Sequence, residues 1–232
     1  MKISAVIVSR NDNYGGYLNE RATYALNSAI DTYDEVFYID WNSENYSLLY
    51  DIENDLQLKG NLHHIVIPPS IAKQLTNQDV NAQKCCETLG RNIGLRRATG
   101  DWLVSTNIDV IHPSRKDVDE IIKINGDQHM ITLSRRETTW EEIKKFHGGE
   151  IIFKDWKKLR DHISSTSEKR EVYEKITSGD DYSLINCCGD FQLAPKHIWN
   201  DIRGFEEDLI YALHSDTNVQ KKAVMHGYGL KA

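Results

Sequence analysis

The chain has 232 residues, long enough to bury a sizeable core in one α/β domain without disulfides or a structural metal. Its hydrophobic fraction of 40% and charged fraction of 27% are ordinary for a globular protein. A net charge of −7 speaks against a general nucleic-acid binder, which carries a basic face, but leaves room for a local basic pocket.

The first half alternates strand and helix patterns. Ile3 to Ser9 is short and continuously apolar, the pattern of a buried strand, and an Asn, Asp and Gly-rich loop follows from Asn11 to Gly16. Arg21 to Ile30 carries Ala22, Ala25, Leu26 and Ala29 on one stripe and predicts a helix. Glu35 to Ile39 is a second strand ending at Asp40, and Ser47 to Leu58 a helix stopped by Gly60. His64 to Ile67 is a third strand, closed by Pro68-Pro69 and followed by a polar loop. Ala82 to Ala98 reads as a helix ending at Gly100, and Trp102 to Thr106 as a fourth strand running into Asn107-Ile108-Asp109. Arg115 to Ile124 is amphipathic, and His129 to Leu133 is a fifth strand.

Five strand and helix alternations predict a mainly parallel, doubly wound sheet with helices on both faces. Ligands of such sheets sit beyond the carboxyl ends of the strands, which gathers Ser9 to Asn13, Asp40 and Asn107 to Asp109 at one crevice. Residues 138 to 180 are polar and helix-prone, with Trp140 and Trp156 as isolated anchors, and read as an insertion or lid over that crevice. Strand character returns at Leu184 to Cys188 and Phe191 to Ala194, and a helix from Ser215 to Met225 closes the chain. With no repeat and no low-complexity linker, the simplest organisation is one domain with two functional halves, residues 1–112 and 113–232.

Several strand ends carry groups suited to chemistry. Asp40 can accept hydrogen bonds from a base or ribose, or else cap the following turn. Asn107 and Asp109 offer oxygen ligands two residues apart, which suits a hard divalent cation that also holds phosphate oxygens. Arg91, Arg96 and Arg97 share the preceding helix, and guanidinium forks suit phosphate. Asn92 and Gly94 are poor helix formers, so their place mid-helix points to a ligand or another backbone packed closely against them. Asp216 opens the last helix, where it can act as a general base or simply favour the helix start.

Taken in order, these segments resemble glycosyltransferase family 2 and its GT-A relatives. The likeness rests on Val8-Ser9-Arg10-Asn11-Asp12, Tyr38-Ile39-Asp40-Trp41-Asn42-Ser43, and the run from Arg91 to Gly100, which matches R-N-x-G-x-x-x-A-x-G. Asn107-Ile108-Asp109 stands for D-x-D, Gly189-Asp190-Phe191 for the acceptor loop, Gly204 to Asp208 for G-F-x-E-D, and Ser215-Asp216 for an E-D pair.

The resemblance implies a GT-A fold and transfer of a sugar from a nucleotide-diphosphate donor, with uridine diphosphate the expected carrier, to a glycan or other hydroxyl acceptor. It implies a divalent metal, Mn2+ or Mg2+, at Asp109, with His226 or His214 as a further ligand. Ser9, Arg10, Asn11, Asp40, Arg91, Asn92 and Asn107 would hold the donor, Gly189 and Asp190 the acceptor, and Asp216 would deprotonate the attacking hydroxyl. Asn107 and Ser215 depart from the family pattern, each removing a carboxylate.

Two rivals stand beside this. A sugar-1-phosphate nucleotidyltransferase needs a Lys in the loop after the first strand, and Arg10 to Gly16 has none. A non-catalytic module holding a nucleotide sugar or glycan fits Asn107 and Ser215. Cys85-Cys86 and Cys187-Cys188 lack the C-x-x-C spacing of zinc sites and read as buried apolar residues of a reducing compartment. No leader and no membrane-spanning stretch is visible, so the cytoplasm is the expected location, and the Asn45-Tyr46-Ser47 sequon reads as chance.

Overall fold

The computed structural model describes residues 1–57, 60–77, 79, 82–133, 138–150, 152, 155–166, 189–211 and 214–231. Four strands run parallel: β1 (Ile3–Ser9), β2 (Glu35–Trp41), β3 (Leu62–Ile67) and β4 (Trp102–Asn107). Three more complete the sheet: β5 (His129–Thr132), β6 (Phe191–Pro195) and β7 (Gly229–Lys231). The order is β3-β2-β1-β4-β6-β5-β7, with β6 antiparallel to both neighbours and β7 parallel to β5. The mainly parallel sheet is therefore as expected, with β6 its one reversed strand among the described residues.

Side chains alternate across β1. Ile3, Ala5 and Ile7 join the core under α1 (Leu18–Thr32), α2 (Leu49–Ile52) and α5 (Arg115–Asn125). Val6 and Val8 face the other core, under α4 (Glu87–Arg97), α8 (Lys196–Asp201) and α9 (Ser215–Met225). The close packing expected around the mid-helix glycines is there. A methyl group on Gly94 would lie 2.4 Å from Val6 Cγ1, and one on Gly90 would lie 2.7 Å from Val8 Cγ1. These glycines let α4 sit against β1, which fixes Arg91 relative to the strand ends.

Several boundaries differ from the sequence reading. The expected helix from Ser47 shrinks to α2 and a 3₁₀ turn at Glu53–Asp55, and α4 begins only at Glu87. The polar loop after Pro68 contains a helix, α3 (Pro69–Leu75), whose first residue is the proline favoured there. The last helix does not close the chain, because Gly227 (φ 87) turns it back into β7.

The described part of the 138–180 stretch is α6 (Trp140–Phe146) and α7 (Trp156–Thr166). Trp156, Leu159 and Ile143 form a third small core with Tyr24 of α1. These two helices thus pack on α1, through Tyr24 and, at its N-terminal end, through Trp140 against Tyr17. The expected strand Leu184 to Cys188, with Cys187 and Cys188, lies outside the described residues. Burial raises the pKa of the Cys85 thiol, helped by the nearby charges of Glu87 and Asp12, and Cys85 and Cys86 are both unbridged.

Candidate active site

The carboxyl ends of β1 and β2 are laced together by their loops. Ser9 Oγ and Tyr38 Oη are 2.8 Å apart. Burial, and then the charge of Asp40, raise the Tyr38 pKa well above the usual phenol value, so the hydroxyl stays neutral. The Arg10 side chain is buried. Its Nε donates to Asn42 O at 2.9 Å, Nη2 to Glu44 Oε1 at 2.6 Å, and Nη1 lies 3.6 Å from Asp12 Oδ2. Asn11 N donates to Ser43 Oγ at 2.8 Å, and Ser43 Oγ donates to Asp40 Oδ1.

Asp40 is fully buried, and its second oxygen accepts from Leu48 N at 2.9 Å. Of its two sequence readings, this geometry supplies the capping one: both carboxylate oxygens close the turn around Asn42, whose φ is 58°. Ser9, Arg10 and Asp40 therefore shape the loops, while Asn11 stands half-exposed at their edge.

A second network joins the ends of β4, β6 and α9. Arg91 is 4% exposed. It donates through Nη1 to Ser105 Oγ at 2.7 Å, and through Nη2 to Glu87 Oε2 at 2.7 Å and to Asn107 Oδ1. Asn107 passes the chain on, its Nδ2 donating to Asp190 Oδ1 at 2.8 Å while its backbone N donates to Asp190 O at 3.1 Å. Gly189 N then donates to Asp216 Oδ2 at 2.9 Å, and Thr217 N to Asp216 Oδ1 at 2.8 Å. A methyl group on Gly189 would lie 2.0 Å from Asp216 Cβ, so this approach requires glycine. Arg91, Asn107, Gly189, Asp190 and Asp216, spread over 126 positions of sequence, become one contiguous cluster.

Asn92 has a different place. Its amide pairs with the backbone of Phe205, donating to the carbonyl at 2.9 Å and accepting from the N–H at 2.8 Å, and it also donates to Glu207 Oε1 at 2.9 Å. Phe205 in turn lies under the Arg91 guanidinium, 5.4 Å from it. Asn92 is buried at 1% exposure, so it ties α4 to the Gly204 turn, where φ is 66°.

Asp109 follows β4 with its side chain 45% exposed, and Arg21 Nη1 lies 3.2 Å from its Oδ2. Arg21 is held in turn by the carbonyls of Gly16 at 3.1 Å and of Tyr14. Among the described residues no three His, Cys, Asp or Glu side chains are grouped to hold a metal. Asn107 Oδ1 is turned to Arg91. The exposed carboxylate of Asp109 fits a cation whose other ligands are phosphate oxygens and water, and does not fit one caged by protein.

His226 is not brought to Asp109 by any described contact. It caps the far end of α9, whose 11 residues put it about 15 Å along the axis from Asp216. His214 precedes the same helix with φ 72° and is exposed. Arg21 is the residue that sequence reasoning missed, because an arginine on an amphipathic helix is unremarkable until Gly15 and Gly16 fold back over it.

No protein-family profile matches the sequence, and no curated protein matches it. Solved structures do match. TarS 1-349 from S. aureus is 16% identical, covering 96% of this chain and 55% of that one, with a TM-score of 0.55. The same protein in complex with UDP-GlcNAc is 16% identical, covering 96% and 53%, with a TM-score of 0.57. A mannosyltransferase, PcManGT from Pyrobaculum calidifontis, in complex with GDP-Man and Mn2+, is 14% identical, covering 100% and 54%, with a TM-score of 0.58. The chain spans about half the length of these structures. The likeness establishes the fold, the GT-A type shared with these glycosyltransferases.

Proposed function

We propose that the chain transfers a sugar from a nucleotide-diphosphate donor, with uridine the preferred base, to a hydroxyl of a glycan or other acceptor. The observation that carries this reading is the run of hydrogen bonds from Arg91 through Asn107 to Asp190, continued through the adjoining Gly189, which donates to Asp216. It sets the Arg91 guanidinium and a helix-start carboxylate at Asp216 around the ends of β4 and β6, while the exposed carboxylate of Asp109, paired with Arg21, stands two residues beyond Asn107. The fold supports it, because proteins of this fold have been crystallised with UDP-GlcNAc and with GDP-Man, and open α/β sheets bind ligands beyond the carboxyl ends of their strands.

In the proposed reaction the acceptor oxygen attacks the anomeric carbon. Asp216 takes the hydroxyl proton, and the bond from that carbon to the diphosphate oxygen breaks with its electron pair on the diphosphate. The backbone donors of Gly189 and Thr217 each engage one oxygen of Asp216, which fixes the carboxylate plane and leaves further lone pairs for the proton. Asn11, Arg91 and Asp109 line the donor side, with Ser9, Arg10 and Asp40 holding the loops and Asn107 orienting Asp190 on the acceptor side. A divalent ion, Mn2+ or Mg2+, held at Asp109 would supply charge neutralisation for the leaving diphosphate.

Asp216→Asn is the direct test. The variant should stay folded and keep nucleotide binding, at a modestly lower thermal midpoint because its amide can accept from only one of the two backbone donors, while transfer falls about 100-fold or more. Near-normal transfer by the folded variant would remove Asp216 from the mechanism. A second reading, a non-catalytic nucleotide-sugar-binding module, is favoured by Asn107, whose amide is shared between Arg91 and Asp190 and adds no charge. It predicts donor binding without turnover in the unaltered chain.

A further inference from the structure

On the α1 flank of the crevice lies a cleft of about 540 Å³, within the size range of small-molecule sites. Its walls include Asn11, Asn13, Tyr17, Asn19, Glu20 and Asp51. Three amides, two carboxylates and an aromatic ring meet there, and no lysine or arginine lines it. Such a lining offers an anion no cationic partner of its own. It suits a neutral polyol, whose hydroxyls both donate to carboxylates and pair with amides.

Aromatic exposure points the same way. Among the described residues the strongly exposed aromatic side chains are Tyr14, Tyr17, Tyr46, Tyr50 and Tyr211; three of these five belong to the two loops flanking the cleft, and Tyr50 stands in α2 beside the cleft residue Asp51. Those loops are joined by Asn11, whose Nδ2 donates to Tyr46 O and to Asp51 Oδ2, both at 3.4 Å. Tyr17 is 47% exposed, yet it is braced: Trp140 lies against it with ring centroids 5.1 Å apart, and Lys144 Nζ is 5.8 Å from its ring centre. A braced tyrosine offers a rigid surface at little entropic cost on binding.

Tyr17 also holds φ 53° and ψ 37°, a left-handed conformation that costs a side chain of this size about 1–2 kcal/mol. Backbone strain of this kind clusters at binding and active sites. The negative face of a tyrosine ring attracts the polarised C–H face of a pyranose.

We propose that this cleft is a carbohydrate-binding site, holding a neutral sugar unit of a glycan on the Tyr17 ring with its hydroxyls on Asn13, Asn19, Glu20 and Asp51. It lies beside the donor crevice and shares Asn11 as a wall, so a glycan seated there extends towards the ends of β1 and β4. The inference stands apart from the transfer reaction, since it needs only sugar binding.

The test is an amide-shift titration of the full chain with the methyl glycosides of glucose, galactose, mannose and N-acetylglucosamine, run with and without UDP. At least one glycoside should saturably shift the amides of Asn13, Gly16 and Asn19, equally in the presence of UDP. Tyr17→Asn, which suits the left-handed backbone, should weaken that binding about tenfold in a chain that thermal melting shows to be folded, and Asn19→Ala on the helix surface should weaken it too. The proposal is overturned if no glycoside shifts these amides, if shifts are confined to residues around Asn107 and Asp216, or if both variants bind as the unaltered chain does. Sugar binding without any UDP binding would sustain this site and defeat the donor reading, and UDP binding alone would do the reverse.

Discussion

Asn107 shows how one atom's identity is set by two neighbours. Its oxygen faces the Arg91 guanidinium and its nitrogen faces Asp190 Oδ1 at 2.8 Å. An aspartate would still satisfy Arg91 but would set two carboxylates against each other. Asn107→Asp should therefore lower stability by about 1–3 kcal/mol in urea titrations, and the added change Asp190→Asn should recover most of it. A single variant as stable as the unaltered chain would contradict this account.

His112 gives a pH signature. It is fully buried, its Nδ1 pairs with Tyr33 Oη at 3.0 Å, and burial lowers its pKa from 6.5 to about 3. The unfolded chain binds this proton below about pH 6.5, while the folded chain resists it. The stability it contributes is present above that pH and is lost as pH falls towards 3, at up to about 1.4 kcal/mol per pH unit. Carboxylates titrate in part of the same window, so the measurement is the difference in pH slope, between pH 6.5 and 5, for the unaltered chain and His112→Gln. The slope should flatten in the variant, and an equal slope would argue against a buried neutral imidazole.

At the scale of elements, the contact of α4 with β1 positions the cluster around Arg91. Gly94→Ala would gain about 1 kcal/mol of intrinsic helix propensity. It would also push a methyl group against Val6 Cγ1, an overpacking cost of about 1–3 kcal/mol. We expect net destabilisation by thermal melting, relieved when Val6→Ala is added. A stabilised single variant would mean that α4 is free to shift.

This is also where the sequence was most legible. Asn92 and Gly94, poor residues for a helix interior, marked a close approach, and the structure supplies both partners: Val6 under the glycine and the Phe205 backbone on the amide. The alternation of strand and helix patterns marked the mainly parallel sheet, and Ser215 to Met225 matched α9 at both ends. The direction of side chains at strand ends was not legible. Asp40 could point out to a ligand or back to Leu48 with the same local sequence, and only the packing of the next loop decides between them. Likewise α9 begins beside Gly189 and carries His226 away, a separation set by helix length and not by proximity in sequence.

For the whole molecule, the division into a donor half, residues 1–112, and an acceptor half, 113–232, is our proposal for how the work is shared. The two halves meet in the sheet at the β4–β6 pairing, and the Arg91 to Asp216 network crosses between them there. The reversed strand β6 is what brings Gly189 and Asp190, which precede it, to the carboxyl end of β4. Among the described residues no helix is long and apolar enough to cross a membrane. The contact between these halves explains why candidate residues from remote segments gather at one end of the sheet, and it frames the account's main claim, sugar transfer from a nucleotide donor.

The most direct measurement of that claim is release of nucleoside diphosphate from a panel of nucleotide sugars, each with a hydroxyl acceptor, in manganese and again in chelator. Release is expected from one donor class, strongest with uridine, and falls on chelation and in Asp109→Ala. Donor binding seen by thermal shift, with no release from any donor under either condition, would contradict transfer and favour the binding module.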